Sequence, residues 1–314
     1  MNKPTPKKLR VGMLGRTQWL ADACRKIHAQ GHSIDLLWTA KDESFYRFGL
    51  DQFEQLAQAV NAHFFVGTKS TAEVEAWLKQ NPLDVGISVN WPILLTESLL
   101  ERFNYGVLNA HAGDLPRYRG NACPNWAILH GEPQIACTIH RMVPELDAGP
   151  ILLKQFLPMH DDLYIEDVYA WLSQTIPNMF SQATDLLARG EAVFKAQSTD
   201  PTHALRCYPR RAEDGQIQWA QSADQILRLI RASSKPFDGA FTTLENQQKV
   251  VIWRAEKVEL PEPALVVPGQ VCLVQQGDPV VACGQGALRL RVLSSPDHTS
   301  IKQCITSSLR NRLI

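Results

Sequence analysis

Asn109 and His111 stand two residues apart at the end of a short apolar run, Gly106-Val-Leu-Asn109, and Asp147 follows in a Leu-Asp-Ala-Gly turn. In an extended segment, residues i and i+2 project to the same side, so an amide and an imidazole are aimed at one point. If the turn folds back over the strand end, a carboxylate joins them. That set suits acyl transfer to an amine. A protonated amine cannot attack a carbonyl, and histidine is the side chain best suited to take its proton near neutral pH. As the tetrahedral intermediate forms, negative charge grows on the former carbonyl oxygen. An amide N–H or a protonated imidazole aimed there stabilises it, and losing one such donor raises the barrier by roughly 3 kcal/mol. Asp147 would orient the imidazole, raise its pKa and pass protons through water. Taken singly, each residue has a plainer use: an Asn caps or turns a strand end, a His packs, and an Asp forms a turn. A metal is not expected, because His111, His130 and His140 do not follow the H-x-x-x-H or H-E-x-x-H spacing of metal ligands.

The elements that must position these groups are legible on both sides of them. Leu9–Leu14 reads as a buried strand ending at Gly15, Trp19–Gln30 as a helix stopped by Gly31, and Ile34–Thr39 as a second strand. Ser70-Thr-Ala-Glu73 reads as a capping box ahead of a helix with the apolar stripe Val74, Trp77 and Leu78. Val85–Val89 is the next strand. Such alternation predicts a mostly parallel α/β sheet with helices on both faces, a Rossmann-like class in which ligands sit outside the carboxyl ends of the strands. Gly12-Met-Leu-Gly15 reads as turn chemistry, since the dinucleotide spacing G-x-G-x-x-G is absent. Past His111, the Arg117-Tyr-Arg-Gly120 cluster reads as loop, Pro124–His130 as helix, and the segment through Thr138 and His140 as strand. Ile165–Arg189 reads as a long helix that Pro177 bends or divides. A helix at Ser222–Ala232 precedes short β-rich runs separated by Gly, Pro and Asp, which predicts a small β-barrel, OB-like, at the carboxyl end. The expected division is a catalytic domain over 1–202 and a barrel-like domain over 203–314.

Composition narrows the classes. The 314 residues are 45% hydrophobic and 20% charged, which excludes a largely disordered chain. Lys plus Arg and Asp plus Glu both number 32, so no global field draws the protein to nucleic acid or an anionic membrane. The apolar run after the polar amino terminus is too short for a signal peptide or a membrane span, and the cytoplasm is the expected compartment. Seven cysteines without a C-x-x-C pair argue against a disulfide framework and for buried, reduced thiols.

Asn109-Ala-His111, Leu115-Pro-Arg-Tyr-Arg-Gly120, Trp126-Ala-Ile, Gly131-Glu132, Thr138-Ile-His140 and Leu146-Asp-Ala-Gly149 together resemble the signature of folate-dependent formyltransferases. The resemblance implies that Asn109, His111 and Asp147 form the catalytic trio and that the formyl donor is N10-formyltetrahydrofolate. It also implies that the pterin head lies against Ser88-Val-Asn-Trp-Pro-Ile-Leu94, with Asn90, Trp91, Ile93 and Leu94 as contacts, under the turn from Val143 to Asp147. Ile93 and Leu94 are equally readable as core residues. Tyr208-Pro-Arg-Arg211, Asp214-Gly-Gln-Ile-Gln-Trp219 and Pro236-Phe-Asp-Gly-Ala-Phe241 resemble the carboxy-terminal domain of methionyl-tRNA formyltransferases and of the amino-arabinose enzymes, so the likeness runs through nearly the whole chain.

The acceptor amine divides the family. Methionyl-tRNA formyltransferases typically read Ser-Leu-Leu-Pro after the catalytic His and carry a basic, glycine-rich insertion after the second strand. Here the text is Ala112-Gly-Asp-Leu-Pro116, and Thr39–Phe53 is mixed in charge and lacks that insertion. A tRNA binder should show an electrostatic footprint. The run from Asp114 to Ala127 is closer to enzymes that formylate a nucleotide-linked amino sugar, the chemistry of lipopolysaccharide O-antigen biosynthesis. That acceptor is the expectation; methionyl-tRNA and a carrier-bound amino acid are the alternatives, and a homodimer is an allowed assembly. Arg117, Arg119 and Asn121 would meet acceptor phosphates or hydroxyls, with Tyr118 and Trp126 stacking on a ring, or else they form loop salt bridges and packing. A noncatalytic module is disfavoured by the intact trio, and a formyltetrahydrofolate hydrolase by the lack of its regulatory domain.

Overall fold

A computed structural model describes residues 6–41, 48–261, 263–296 and 300–314. Six residues of the Thr39–Phe53 stretch, 42–47, lie outside the described residues. The elements, in chain order, begin β1 (Arg10–Gly15), α1 (Thr17–Ala29), β2 (Ser33–Thr39), α2 (Leu50–Ala59), β3 (His63–Val66), α3 (Ala72–Gln80), β4 (Val85–Val89), α4 (Glu97–Leu100), β5 (Val107–His111) and β6 (Tyr118–Gly120). There follow α5 (Cys123–His130), β7 (Gln134–Arg141), β8 (Ile151–Pro158), α6 (Ile165–Arg189) and β9 (Leu205–Cys207). The remainder is α7 (Ala223–Ser233), β10 (Ala240–Thr243), β11 (Lys249–Val258), β12 (Val271–Gln275), β13 (Asp278–Ala282), β14 (Ala287–Ser294) and α8 (Ile301–Thr306).

Two compact units emerge. One holds the described residues up to Gly120, Ile135–Leu157 and Ala170–Cys207; the other holds Asn121–Gln134, Pro158–Tyr169 and Tyr208–Ile314. The first is an α/β unit around a seven-stranded sheet of order β3-β2-β1-β4-β5-β7-β8. β1, β2, β3, β4 and β5 pair in parallel, and β7 runs antiparallel to β5. β1 and β4 are buried almost end to end, as expected of central strands covered on both faces. The register across β5 and β7 matters most, because it sets Asn109 opposite His140 and His111 opposite Thr138.

Several sequence expectations change here. Gly12 lies within β1 rather than in a turn, and a Cβ on it would meet the Leu83 and Phe103 side chains at 3.0 Å, so any larger residue there has to push those side chains back. Thr71, not Ser70, caps α3: its hydroxyl accepts from the Val74 N–H, while Ser70 bonds Glu75. The cluster at Arg117–Gly120 is not all loop, since β6 pairs in parallel with β9. Pro177 does not divide α6, which stays one helix around it.

The second unit packs α7 against a five-stranded antiparallel sheet of order β10-β11-β14-β13-β12. Ser222 caps α7 by accepting from the Gln225 N–H, and Ile226 and Ile230 are fully buried among Val250, Ile252, Leu288 and Leu290. Each such side chain contributes about 1.5–3 kcal/mol by leaving water. The sheet ends do not stay open. The tail bonds to β10 through Thr243 and Ile314, and toward β12 through Gly269–Leu313 and Val271–Asn311. Among the described residues, no helix is long and apolar enough to cross a membrane.

Candidate active site

β5 delivers Asn109 and His111, β7 delivers His140, and the turn after β7 delivers Asp147, which takes a left-handed φ of 48° that Asp tolerates better than most residues. Asp147 stands between two imidazoles. Its Oδ2 lies 3.4 Å from His111 Nδ1 and its Oδ1 3.6 Å from His140 Nε2, and the Gly120 N–H donates to Oδ2 at 2.9 Å. The structure thus brings the amide, imidazole and carboxylate of the expected trio together within one compact unit.

Backbone carbonyls fix the histidine protons, because a carbonyl can only accept. His111 Nε2 lies 2.6 Å from the Tyr118 carbonyl, so Nε2 carries the proton of the neutral ring and Nδ1, facing Asp147, is the basic nitrogen. His140 Nδ1 lies 3.3 Å from the Arg141 carbonyl, which leaves Nε2 to accept from the Asn109 amide at 3.2 Å. His140 was outside the expected trio. Its signal was the alternation Thr138-Ile-His140 on a strand, but only the register with β5 shows where it points.

Burial sets the charges. It pushes the His111 pKa down, against the pull of Asp147, and the net direction is down, so the ring is a neutral base at neutral pH. Burial also pushes the Asp147 carboxyl up, but the two histidines and the Gly120 N–H outweigh it and hold the carboxyl at about 2. Asp147 is therefore an anion throughout the working range, placed to stabilise an imidazolium at His111.

Two further groups hold this geometry. The Gln197 amide donates to the carbonyls of Asp147 and Gly149 at 2.8 and 2.7 Å, and Arg119 donates to Gln197 Oε1 at 2.8 Å. Gly113 gives room: a Cβ there would sit 2.5 Å from His111 Nε2 and 2.6 Å from the Tyr118 carbonyl. Gly113→Ala should therefore displace the imidazole and lower turnover about tenfold or more while the melting temperature falls by only a few degrees. Steady-state kinetics beside a thermal melt would check it, and unchanged kcat would mean that the loop relaxes freely.

The other expected contacts scatter. Arg117 is exposed and lines a cavity of about 710 Å³ with Lys154, Lys195 and Leu205. Tyr118 is 3% exposed, so its ring has no open face on which a ligand could stack. Arg119 is engaged with Gln197. Asn121 and Trp126 belong to the second compact unit, where Trp126 donates to the Tyr208 carbonyl and lies under the Arg210 guanidinium. Of the residues expected to hold the pterin, Ile93 and Leu94 are 45% and 55% exposed, which removes the reading of them as core. Trp91 packs edge-on to Trp38 at 5.1 Å and keeps a buried indole N–H without a partner among the described residues, as does the Ser88 hydroxyl. Asn90 is exposed at a left-handed φ of 52°, and Val143 is half-buried. Exposed apolar side chains beside unmet donors suit a planar heterocycle with hydrogen-bonding edges.

The sequence pattern of the family described as formyl transferase matches residues 8–184, and that of its C-terminal domain matches residues 210–305. This chain belongs to the formyl transferase family. Membership makes it an enzyme of formyl transfer with N10-formyltetrahydrofolate as donor. A methionyl-tRNA formyltransferase from Janthinobacterium sp. (strain Marseille) is 30% identical over 301 residues, covering 92% of this chain and 93% of that one. Among solved structures, the fold is similar to WlaRD, a sugar 3N-formyltransferase crystallised with dTDP and 5-N-formyl-THF (TM-score 0.65, 14% identity, 93% of this chain and 99% of that one). It is also similar to HypX from Aquifex aeolicus in complex with tetrahydrofolic acid (TM-score 0.59, 16% identity), of which this formyl transferase covers 45% with 92% of its own length. The chain thus spans less than half the length of HypX.

Proposed function

We propose that the enzyme transfers the formyl group of N10-formyltetrahydrofolate to the primary amine of a nucleotide-linked amino sugar, with Asn109, His111 and Asp147 as its catalytic residues. The placement of Asp147 between two imidazoles, one held by the Asn109 amide, carries the catalytic part of this reading. The amine nitrogen bonds to the formyl carbon, and the proton it sheds passes to His111 Nδ1, where the Asp147 carboxylate stabilises the imidazolium. The Asn109 N–H not given to His140 holds the oxyanion. As the bond from carbon to N10 breaks, the imidazolium returns its proton to the leaving nitrogen, so the products are a formamide and tetrahydrofolate. Asn90, Trp91, Ile93, Leu94 and Val143 would hold the pterin.

Balanced charge and the Asp114–Ala127 text favour a small anionic acceptor over a polyanion. A cytoplasmic setting fits such a substrate. The second reading, methionyl-tRNA as acceptor, is favoured by the 30% identity to a methionyl-tRNA formyltransferase over 92% of the chain. Turnover of N10-formyltetrahydrofolate against a panel of nucleotide amino sugars and methionyl-tRNA, at low and moderate salt, decides between them. We expect a sugar to be formylated with modest salt dependence; turnover of methionyl-tRNA alone, falling steeply with salt, reverses the assignment.

A further inference from the structure

The cavity of about 710 Å³ lies wholly within the first compact unit, the one that holds the trio. Sheet order places it relative to the chemistry. In the run β4-β5-β7-β8, the middle pair carries Asn109, His111 and His140; β4 leads into the loop proposed for the pterin, and β8 gives the cavity Ile151, Leu152 and Lys154. The Arg141 N–H donates to the Pro150 carbonyl at 2.9 Å, so the start of β8 is level with the end of β7, where His140 stands. Neighbouring strands lie about 4.8 Å apart, which puts β8 roughly 10 Å from β5. The cavity therefore flanks the trio on the side away from the donor loop. Gln197 joins the two: it lines the cavity, and its amide donates to the Asp147 and Gly149 carbonyls.

Cations dominate the lining. Arg117, Lys154, Lys195 and His203 contribute to it, and among the described residues no carboxylate does. Lys154 is partly spent, since its ammonium donates to the Asp114 carboxylate at 2.7 Å and to the Leu115 carbonyl at 2.6 Å. Lys195 is not. Its backbone is tied to Ile151 by two hydrogen bonds of 2.8 Å, while its exposed ammonium has no partner among the described residues. Arg117 is anchored in a similar way, its carbonyl accepting from the Leu205 N–H. The backbone thus fixes where both side chains start, and a guanidinium and an ammonium lining one cavity suit phosphate groups, which the guanidinium grips through two N–H groups. Pro116, Ile151 and Leu205 add an apolar wall, and the volume is that of a nucleotide-sized ligand rather than a single ion.

From these features we infer that this cavity holds the nucleoside diphosphate portion of the acceptor, with Arg117 and Lys195 on the phosphates and the apolar wall against the nucleoside, so that donor and acceptor reach the trio from opposite flanks. The inference rests on the nucleotide-sugar reading above, and it adds Lys195 as a residue that selects the acceptor.

Calorimetry on the full chain with UDP, dTDP and inorganic pyrophosphate tests it, beside tetrahydrofolate as a control ligand. Lys195→Glu and Arg117→Gln should each weaken UDP or dTDP binding about tenfold or more, and Lys195→Arg should keep most of the affinity. Tetrahydrofolate should bind all three variants as it binds the wild type. In turnover with a nucleotide amino sugar, the loss should fall on the KM of the acceptor and not on that of the donor. Wild-type nucleotide affinity in both Lys195→Glu and Arg117→Gln, or a loss confined to tetrahydrofolate, would overturn the site while leaving the nucleotide-sugar reading intact. A wild-type protein that binds none of the three probes and formylates only methionyl-tRNA would overturn both.

Discussion

Turnover should fall about a hundredfold or more in His111→Ala and in Asp147→Asn, with both variants remaining folded. The expectation follows from position. His111 Nδ1 is the basic nitrogen, and the Asp147 carboxylate faces it at 3.4 Å. Loss of the imidazole removes the proton acceptor; loss of the carboxylate's charge leaves an imidazolium to form without a counter-ion in a desolvated site. The pH profile separates these roles from a merely structural one. Burial holds the His111 pKa below the ordinary 6.5, so wild-type turnover should be level through neutral pH and fall in acid as the ring protonates, with a midpoint under 6.5. Asp147 raises that pKa, so Asp147→Asn should move the acid limb to still lower pH while the plateau drops. A midpoint above 6.5, or two variants at wild-type rate, would remove His111 from its role as base.

Gly149→Ala should be nearly as damaging by a different route. A Cβ at Gly149 would be driven onto the carbonyl oxygen of Arg141, a backbone atom that cannot swing aside, and would also press on the Val143 side chain at 3.4 Å. Arg141 receives the bond that orients His140, and the Gly149 carbonyl receives the Gln197 amide, so the strain spreads to Asp147 from both sides. Overpacking of this kind costs about 1–3 kcal/mol, and turnover should fall almost as far as in Asp147→Asn. Thermal melting together with kcat checks it. A variant with normal stability and rate would show that the turn has slack that the close contact hides.

How much of this was legible before the fold was known depends on distance along the chain. The strand at Leu9–Leu14, the helix after it and the strand at Val85–Val89 announce themselves because their signals are local: apolar runs, glycine stops and hydroxyl caps. Neighbouring hydroxyls compete, however, and the cap at Ser70 belongs instead to Thr71. β8 was missed, being an edge strand whose burial pattern is mostly half-exposed and gives no clean alternation. That Asn109 and His111 would share one side of a strand end followed from their i, i+2 spacing, whereas the grouping with Asp147 came from a family likeness. His140 was not legible, because its place depends on a strand register joining segments about thirty residues apart, and no local pattern encodes that pairing. The partnership of Gln197 with the Asp147 turn is more remote still. The alternatives left open for Ile93 and Leu94 could be decided only by exposure, which a pair of aliphatic residues in a Pro-containing loop does not reveal.

The closing of the five-stranded sheet by its own tail has a meaning beyond packing. Laid in a row, five strands present two rims of unmet amides and carbonyls, each a rail on which another copy of the chain can dock. Residues 311–314 occupy part of both rims at once, through Thr243 on one side and Gly269 and Val271 on the other. A handful of residues that take no part in the chemistry thus acts as a guard against runaway self-association, and leaves the flanking strands free to vary without becoming adhesive.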